Sequence, residues 1–289
     1  MRILFWIFLI SFTILRVITS GPTKITANFP EDTNPLKEKI SFFYKKTLPE
    51  PHASLLSGMV LGTKTGLPYN FWQSLKITGT AHVVVASGMN VSLLAGFLLG
   101  FLALFFKRKT AIPILLTAIW GYVFLVGFEA PIVRAGIMGS LAFAGQALGR
   151  VVSVWRILAL TVLVMLAVKP VWAFELGFIL SFLATTSLML FESRIRTYIK
   201  VFPEVVKEGL STSLAAQVGV APILFVTFGQ FNPLSPVINA LVLWTVPLIT
   251  IIGALAGIIG MAVPFLGSLV LYLCYPLTSW FIWVVTNLS

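Results

Sequence analysis

Between residues 81 and 286 the chain is a near-continuous series of apolar runs: 81–106, 111–128, 131–149, 154–168, 172–191, 211–231, 234–262 and 265–286. An apolar helix of about 18 residues or more crosses the roughly 30 Å hydrocarbon core of a bilayer. Most of the runs reach that length; 154–168 is short. Strands are excluded as an alternative, because an open sheet in lipid leaves backbone N–H and C=O groups without partners. Composition agrees. The 289 residues are 58% hydrophobic and only 10% charged, where a soluble domain carries about 25% charged residues. The expected fold class is all-α, a polytopic transmembrane helical bundle of about 8–10 spans with interrupted or re-entrant helices.

The N-terminal run ILFWIFLISFTILRVI, residues 3–18, reads as a retained first helix. Arg16 lies inside it, and the following ITSGP makes a poor cleavage site for a signal peptide. Residues 1–20 are therefore expected to be an N-terminal transmembrane helix. Residues 21–52, which hold PEDTNPLKEK, are expected to be a polar extracytoplasmic loop. Residues 53–289 form the membrane domain. Its opening stretch, 53–76, is mildly apolar and Gly-rich, and reads as interfacial or partly re-entrant.

The formal net charge is +11. On a soluble protein that would point to nucleic acid; on a membrane protein it is first a statement about topology. With the N-terminus in the cytoplasm, the short inner connections hold Lys107, Arg108, Lys109, Arg150, Arg156, Arg194, Arg196, Lys200 and Lys207. The short outer ones beyond the first loop hold Arg134 and Lys169. This asymmetry is the positive-inside pattern. Residues 193–209 place Ile195, Tyr198, Ile199, Phe202, Val205 and Val206 at helical spacing between basic residues, as expected of an amphipathic segment on the inner leaflet. Trp120, Trp155 and Trp172 lie near span ends and are expected in the interface belt. Cys274 is the single cysteine, and His52 and His82 stand 30 residues apart, so neither a disulfide, a metal site nor a cofactor is expected.

Polar groups at membrane depth are the candidates for function. In TGTAHVVVASGMN, residues 78–90, a continuous helix would place His82, Ser87 and Asn90 at about 0°, 140° and 80° around its axis, on one side. Ser87-Gly88 suggests a local break there. In FEAPIVRAG, Pro131 suits a first helical turn. Arg134 then lies where the helix dipole disfavours a cation, so Glu129 or Glu175 is expected as its partner, or else an anion. Ser181, Gln217 and Asn239 add polar points on further runs. Either an interhelical hydrogen-bond cluster or a lined cavity accounts for them. Gly96–Gly100, Gly145–Gly149 and Gly253–Gly257 are small-residue pairs suited to close helix packing. Pro222 and Pro247 are expected to interrupt spans.

Four segments carry a resemblance to the ComEC competence proteins, in that family's order. TGTAHVVVASGMNV resembles its TGxxHLLxxSGLHV, and PIVRAGIMGSLAFAGQALGR resembles its SxxRAxxM…GR. FELGFILSFLAT resembles its xxGFQLSFLAT. SLAAQVGVAPILFVTFGQFNPLSPVINALVLWTVPL resembles its SxxAQxxxxPxxxxxFxxxSxxxxxxNLxxxPL. The matched positions include Thr78, Gly79, His82, Ser87, Gly88, Arg134, Gly177, Ser181, Gln217, Pro222, Asn239 and Pro247. Asn90 stands where the motif has a second histidine, and Ile179 where it has glutamine. The resemblance implies a multi-pass protein of the bacterial cytoplasmic membrane that carries single-stranded DNA inward during natural transformation. The expected path runs near His82, Ser87, Asn90 and Arg134; the candidates for the path or for a structural motif are His82, Ser87, Gly88, Asn90, Glu129, Arg134, Glu175, Ser181, Gln217 and Asn239. The implied partners are single-stranded DNA, membrane lipids, a periplasmic DNA receptor and a cytoplasmic helicase-like ATPase. Family members often carry an OB-like domain where residues 21–52 stand here, and a nuclease-like metallo-β-lactamase domain, whose HxHxDH-type run is missing from this sequence; no catalysis is expected of this chain. A transporter of another solute or lipid, and a non-transporting scaffold, are the alternative readings.

Overall fold

The computed structural model describes residues 34–63, 66–84, 87–150, 152–199, 203–228 and 232–289, with 11, 13, 14 and 16–19 near the N-terminus. Most of the expected first helix lies outside the described residues. Among the described residues there is no strand. In chain order the helices are α1 (Pro35–Thr47), α2 (His52–Leu61), α3 (Tyr69–Ile77), α4 (Ala81–Val84), α5 (Gly88–Phe105), α6 (Arg108–Val126) and α7 (Ala130–Ala147). They continue with α8 (Val154–Val168), a 3-10 turn (Pro170–Phe174), α9 (Leu176–Tyr198), α10 (Glu204–Phe228), α11 (Ser235–Leu243), α12 (Thr245–Ala262), α13 (Pro264–Tyr272) and α14 (Tyr275–Asn287).

Five helices are long and apolar enough to cross a membrane: α5, α6, α9, α10 over Lys207–Val226, and α12. The pair α13 and α14, bent by 46°, makes a sixth candidate. The fold is an all-α polytopic bundle, and the chain is a membrane protein. The span count among the described residues falls below the expected 8–10, for local reasons. The 154–168 run gives the 15 residues of α8. The 234–262 run divides at Trp244 into the nine-residue α11 and the longer α12. Helix α7 has 18 residues but carries Arg134 and Gln146, and it is not among the five.

Two compact units divide the chain. One holds Leu94–Ser181 with the residues up to Glu31. In it α6 packs on α7, and α7 on α8. Leu115, Ile119 and Val123 are fully buried on α6, and Gly136 of α7 lies so close that a Cβ there would sit 3.1 Å from Val123. The pair is tied at two levels: Arg108 donates to Gln146 Oε1 at 2.7 Å, and Trp120 Nε1 to Ser140 Oγ at 3.1 Å. Trp120 and Trp155 are exposed, and Trp172 is buried in the 3-10 turn. Arg16 Nη1 donates to Ala167 O.

The other unit holds Asp32–Leu93 and Phe182–Ser289. At its centre lies α2, every residue of which is buried. Around it pack α1, α12 and α14. The stretch 53–76, expected at an interface, is thus partly a core helix: HASLLSGMVL is apolar enough to sit inside protein on all sides. The polar loop expected over 21–52 also contains structure. Helix α1 starts at its Asn34 cap, whose side chain accepts from Leu36 N, and buries Ile40 and Tyr44 at helical spacing. Those residues meet a glycine face on α12. A Cβ on Gly257 would lie 2.6 Å from Tyr44 Oη and 2.9 Å from Ile40; one on Gly253 would lie 2.8 Å from Leu56 of α2. Tyr44 Oη donates to Gly253 O at 2.8 Å. Of the small-residue pairs, Gly253–Gly257 is therefore a helix-packing site, whereas Gly96 and Gly100 face open space. Near α14, His52 Nδ1 bonds Thr278 Oγ1 at 2.7 Å and its ring stacks on Tyr275.

The long apolar runs are interrupted at two places among the described residues, and not at every proline. Ser87 is outside helix just before α5, as Ser87-Gly88 suggested, and the chain breaks again at Trp244, three residues before Pro247. Helix α10 continues through Pro222, which corrects the expected interruption there; Pro247 sits in the first turn of α12.

Candidate functional site

The TGT turn, residues 78–80, closes α3 and turns the chain into α4. Thr78 Oγ1 donates to Ser74 O at 2.7 Å and lies 2.9 Å from Thr80 Oγ1; Thr80 N reaches back to Leu75 O at 2.9 Å. Between them Gly79 takes φ +71°, and its missing side chain leaves the space that Ser235 Oγ fills, 2.3 Å from where a Cβ would be. Both requirements select glycine. Asn232 Nδ2 donates to Ile77 O at 2.8 Å, so the turn is held from both sides by the start of α11.

A polar seam continues from there into the unit. Asn239 Nδ2 lies 3.3 Å from Ser235 Oγ, one turn back on α11, and 3.3 Å from Ser213 Oγ on α10. Asn239 is 3% exposed, and its Oδ1 has no hydrogen-bond donor. The close packing that makes this reach possible comes from Gly209, which lies against Ala240.

On the far side of the turn, α4 presents His82. The carbonyl of Gly79 accepts from its Nδ1 at 2.9 Å, so Nδ1 carries the proton and Nε2 is the outward nitrogen. The residue is exposed. Asn90, by contrast, is 1% exposed and donates through Nδ2 to Met59 O at 2.6 Å. The expected common face of His82, Ser87 and Asn90 is thus corrected. The break before Gly88 resets the helix, and His82 and Asn90 point to different surroundings; half-buried Ser87 and Gly88 form the joint between them.

Gln217 is half-buried in an open groove on α10 with Leu214, Val218, Ala221, Pro222 and Phe225. Asn239 belongs to the seam described above. The remaining sequence-derived candidates fall in the other unit. Glu129 caps the start of α7, and Arg134 is half-buried one turn on, with Nη1 3.9 Å from Met138 Sδ. Glu175 pairs with Lys169 Nζ at 3.4 Å, an ion pair the sequence reading did not foresee for this carboxylate. Ser181 is half-buried on α9.

The amphipathic segment expected over 193–209 is divided. Residues up to Tyr198 end α9, and Glu204 begins α10; Phe202 lies outside the described residues. A charged groove lies between the two ends, lined by Glu192, Ser193, Arg196, Thr197 and Lys207. Lys207, at 2.9 Å, and Arg196 both bond Glu204, and they hold its carboxyl below the usual carboxylate range.

Sequence reasoning missed Asn232 and Ser235 as partners of the TGT turn and Ser213 as a partner of Asn239. The spacing of Ser235 and Asn239, one helical turn apart, was the available signal; the contact with residues 78–80, more than 150 positions away, left none. Among the described residues no group of three or more His, Cys, Asp or Glu side chains is placed to hold a metal.

The family described as Competence protein matches residues 59–289. The chain belongs to the competence protein family. The family match takes in α4, α5, the TGT turn and the whole of the seam. The chain is also similar to ComE operon protein 3 of Bacillus subtilis (strain 168), with 28% identity over 273 residues. That similarity covers 91% of this chain and 34% of the relative, so the chain spans about a third of the relative's length. No solved structure matches.

Proposed function

We propose that this chain is a membrane conduit for DNA uptake, passing one strand of incoming DNA across the bacterial cytoplasmic membrane. The observation that supports this most is the competence-family match, which runs through every polar feature of the seam. The arrangement of the TGT turn is consistent with it. A turn fixed by Asn232 and Ser235 holds His82 outward with Nε2 available, and an imidazole can bond a phosphate or base edge and stack on a base. The proposal assigns passage rather than bond cleavage to this chain. Single-stranded DNA also needs cations along its backbone. The basic connections between helices supply such charges. The orientation that puts most of those connections on the cytoplasmic side follows the positive-inside pattern. A periplasmic DNA receptor and a cytoplasmic ATPase are the partners such a conduit requires.

The test is uptake of labelled DNA by the native cell with and without the gene. The deletion is expected to keep DNA bound at the cell surface while losing label from the cytoplasm. Normal cytoplasmic label in the deletion would overturn the proposal and leave transport of another solute or lipid as the reading to pursue.

A further inference from the structure

Helix α10 carries two grooves along one face. The first, of about 670 Å³, lies between the end of α9 and the start of α10 and is lined by Glu192, Ser193, Arg196, Thr197 and Lys207. The second, of about 470 Å³, lies further along α10, where Leu214, Val218, Ala221 and Phe225 give it an apolar wall. At 100° per residue, Lys207, Leu214, Val218, Ala221 and Phe225 fall within about 40° of one line along the helix. That line is about 27 Å long at 1.5 Å per residue, close to the thickness of the hydrocarbon core. Helix α10 meets its neighbours on the other side. Gly209 lies against Ala240, Ser213 bonds Asn239, Thr212 bonds Glu192, and Gly219 fits against Ser187 of α9. Each of these four positions is about 120° or more from the line. Val218 and Phe225 on it are 51% and 62% exposed.

The charges gather at one end of this line. Arg196 and Lys207 both bond Glu204, whose side chain is 61% exposed and does not line the groove. One carboxylate thus answers two cations. An Arg guanidinium has five N–H donors and a Lys ammonium three, so both keep donors for a second oxygen ligand. Glu192, one turn before Arg196 on α9, brings a carboxylate to the same groove; its Oε1 accepts from the neutral Thr212 hydroxyl at 3.4 Å. Two cations and an anion beside an apolar groove match a headgroup with a phosphate and an ammonium followed by an acyl chain. Arg and Lys bind phosphate oxygens through charge-assisted hydrogen bonds. A run of nucleic-acid phosphates, or a headgroup with no amine, would instead meet Glu192 as a like charge.

We propose that this face of α10 binds one phospholipid of the phosphatidylethanolamine class. Arg196 and Lys207 hold its phosphate, Glu192 holds its ammonium, and an acyl chain lies along Leu214, Val218, Ala221 and Phe225. Neither the site nor its test depends on the DNA-uptake reading.

The experiment uses the purified full chain in detergent micelles. The probes are dioleoyl phosphatidylethanolamine, dioleoyl phosphatidylglycerol, and glycerophosphoethanolamine, which is the headgroup without acyl chains. Native mass spectrometry counts bound lipid, and thermal unfolding follows its effect. The expected result is a saturable rise in melting temperature with phosphatidylethanolamine, at a half-saturating concentration about tenfold or more below that of phosphatidylglycerol. Glycerophosphoethanolamine should give no rise. Glu192→Gln should abolish the preference between the two lipids. Lys207→Gln should raise the half-saturating concentration of both by about tenfold or more, the loss expected for one hydrogen bond between charged groups. Ala221→Phe, which fills the apolar groove away from the charges, should weaken both lipids as well. Equal binding of the two lipids by wild type would overturn the proposal and leave only the lipid that surrounds any membrane helix. A preference that survives Glu192→Gln would overturn it too, as would a response to glycerophosphoethanolamine equal to that of the lipid. Should Lys207→Gln fail to fold, Glu192→Gln and the comparison of probes on wild type still decide.

Discussion

Gly79 concentrates two constraints in one residue. It has positive φ, and Ser235 Oγ occupies the place of its side chain. Gly79→Ala should cost about 1–2 kcal/mol for the left-handed backbone and about 1–3 kcal/mol more for overpacking against Ser235. Thermal unfolding of the purified variant measures the sum. Adding Ser235→Ala should recover part of the second share, because the hydroxyl is removed while the backbone conformation stays. A Gly79→Ala protein as stable as wild type would mean the turn is not seated on α11. At this scale the sequence was most informative about residue type and least about company. It marked His82, Asn90 and Asn239 as polar groups that need partners. It could not show that Asn90 turns inward to Met59 while His82 is exposed, because that depends on how the helix is interrupted before Gly88.

Helices are where hydrophobic patterning spoke most clearly. The runs 111–128 and 131–149 became α6 and α7 with small boundary shifts, and 81–106 became α4 and α5. Patterning failed where burial in protein replaces burial in lipid. The stretch that holds α2 read as interfacial or partly re-entrant, and α2 is a core element instead; α1 looked like loop because its polar residues outnumber the apolar ones that dock it. The small-residue pairs show the same limit: one of them packs a helix and another faces open space, with identical spacing. Gly257→Ala should destabilise by about 1–3 kcal/mol through overpacking, since Tyr44 cannot withdraw without losing its bond to Gly253 O. Gly96→Ala, with nothing within 4 Å, should be neutral or slightly stabilising. Comparison of the two melting temperatures checks the assignment; equal shifts would contradict it.

For the whole molecule, length, charge and hydropathy established a multi-span membrane protein before any coordinates, and four short segments pointed to its family. The number of spans was harder to read, because kinks, short core helices and full spans draw on the same apolar residues. The seam joining residues 78–80 to Ser213, Ser235 and Asn239 brings two of those four segments together in one compact unit. The central claim is that the turn so fixed holds His82 in the path of DNA. The most direct test is labelled-DNA uptake in native cells carrying wild type or His82→Ala, with each protein quantified in the membrane. The account predicts that His82→Ala remains inserted at wild-type level while cytoplasmic label falls about tenfold or more, the equivalent of losing one stacked or hydrogen-bonded base contact. Undiminished uptake by an inserted His82→Ala protein would contradict it.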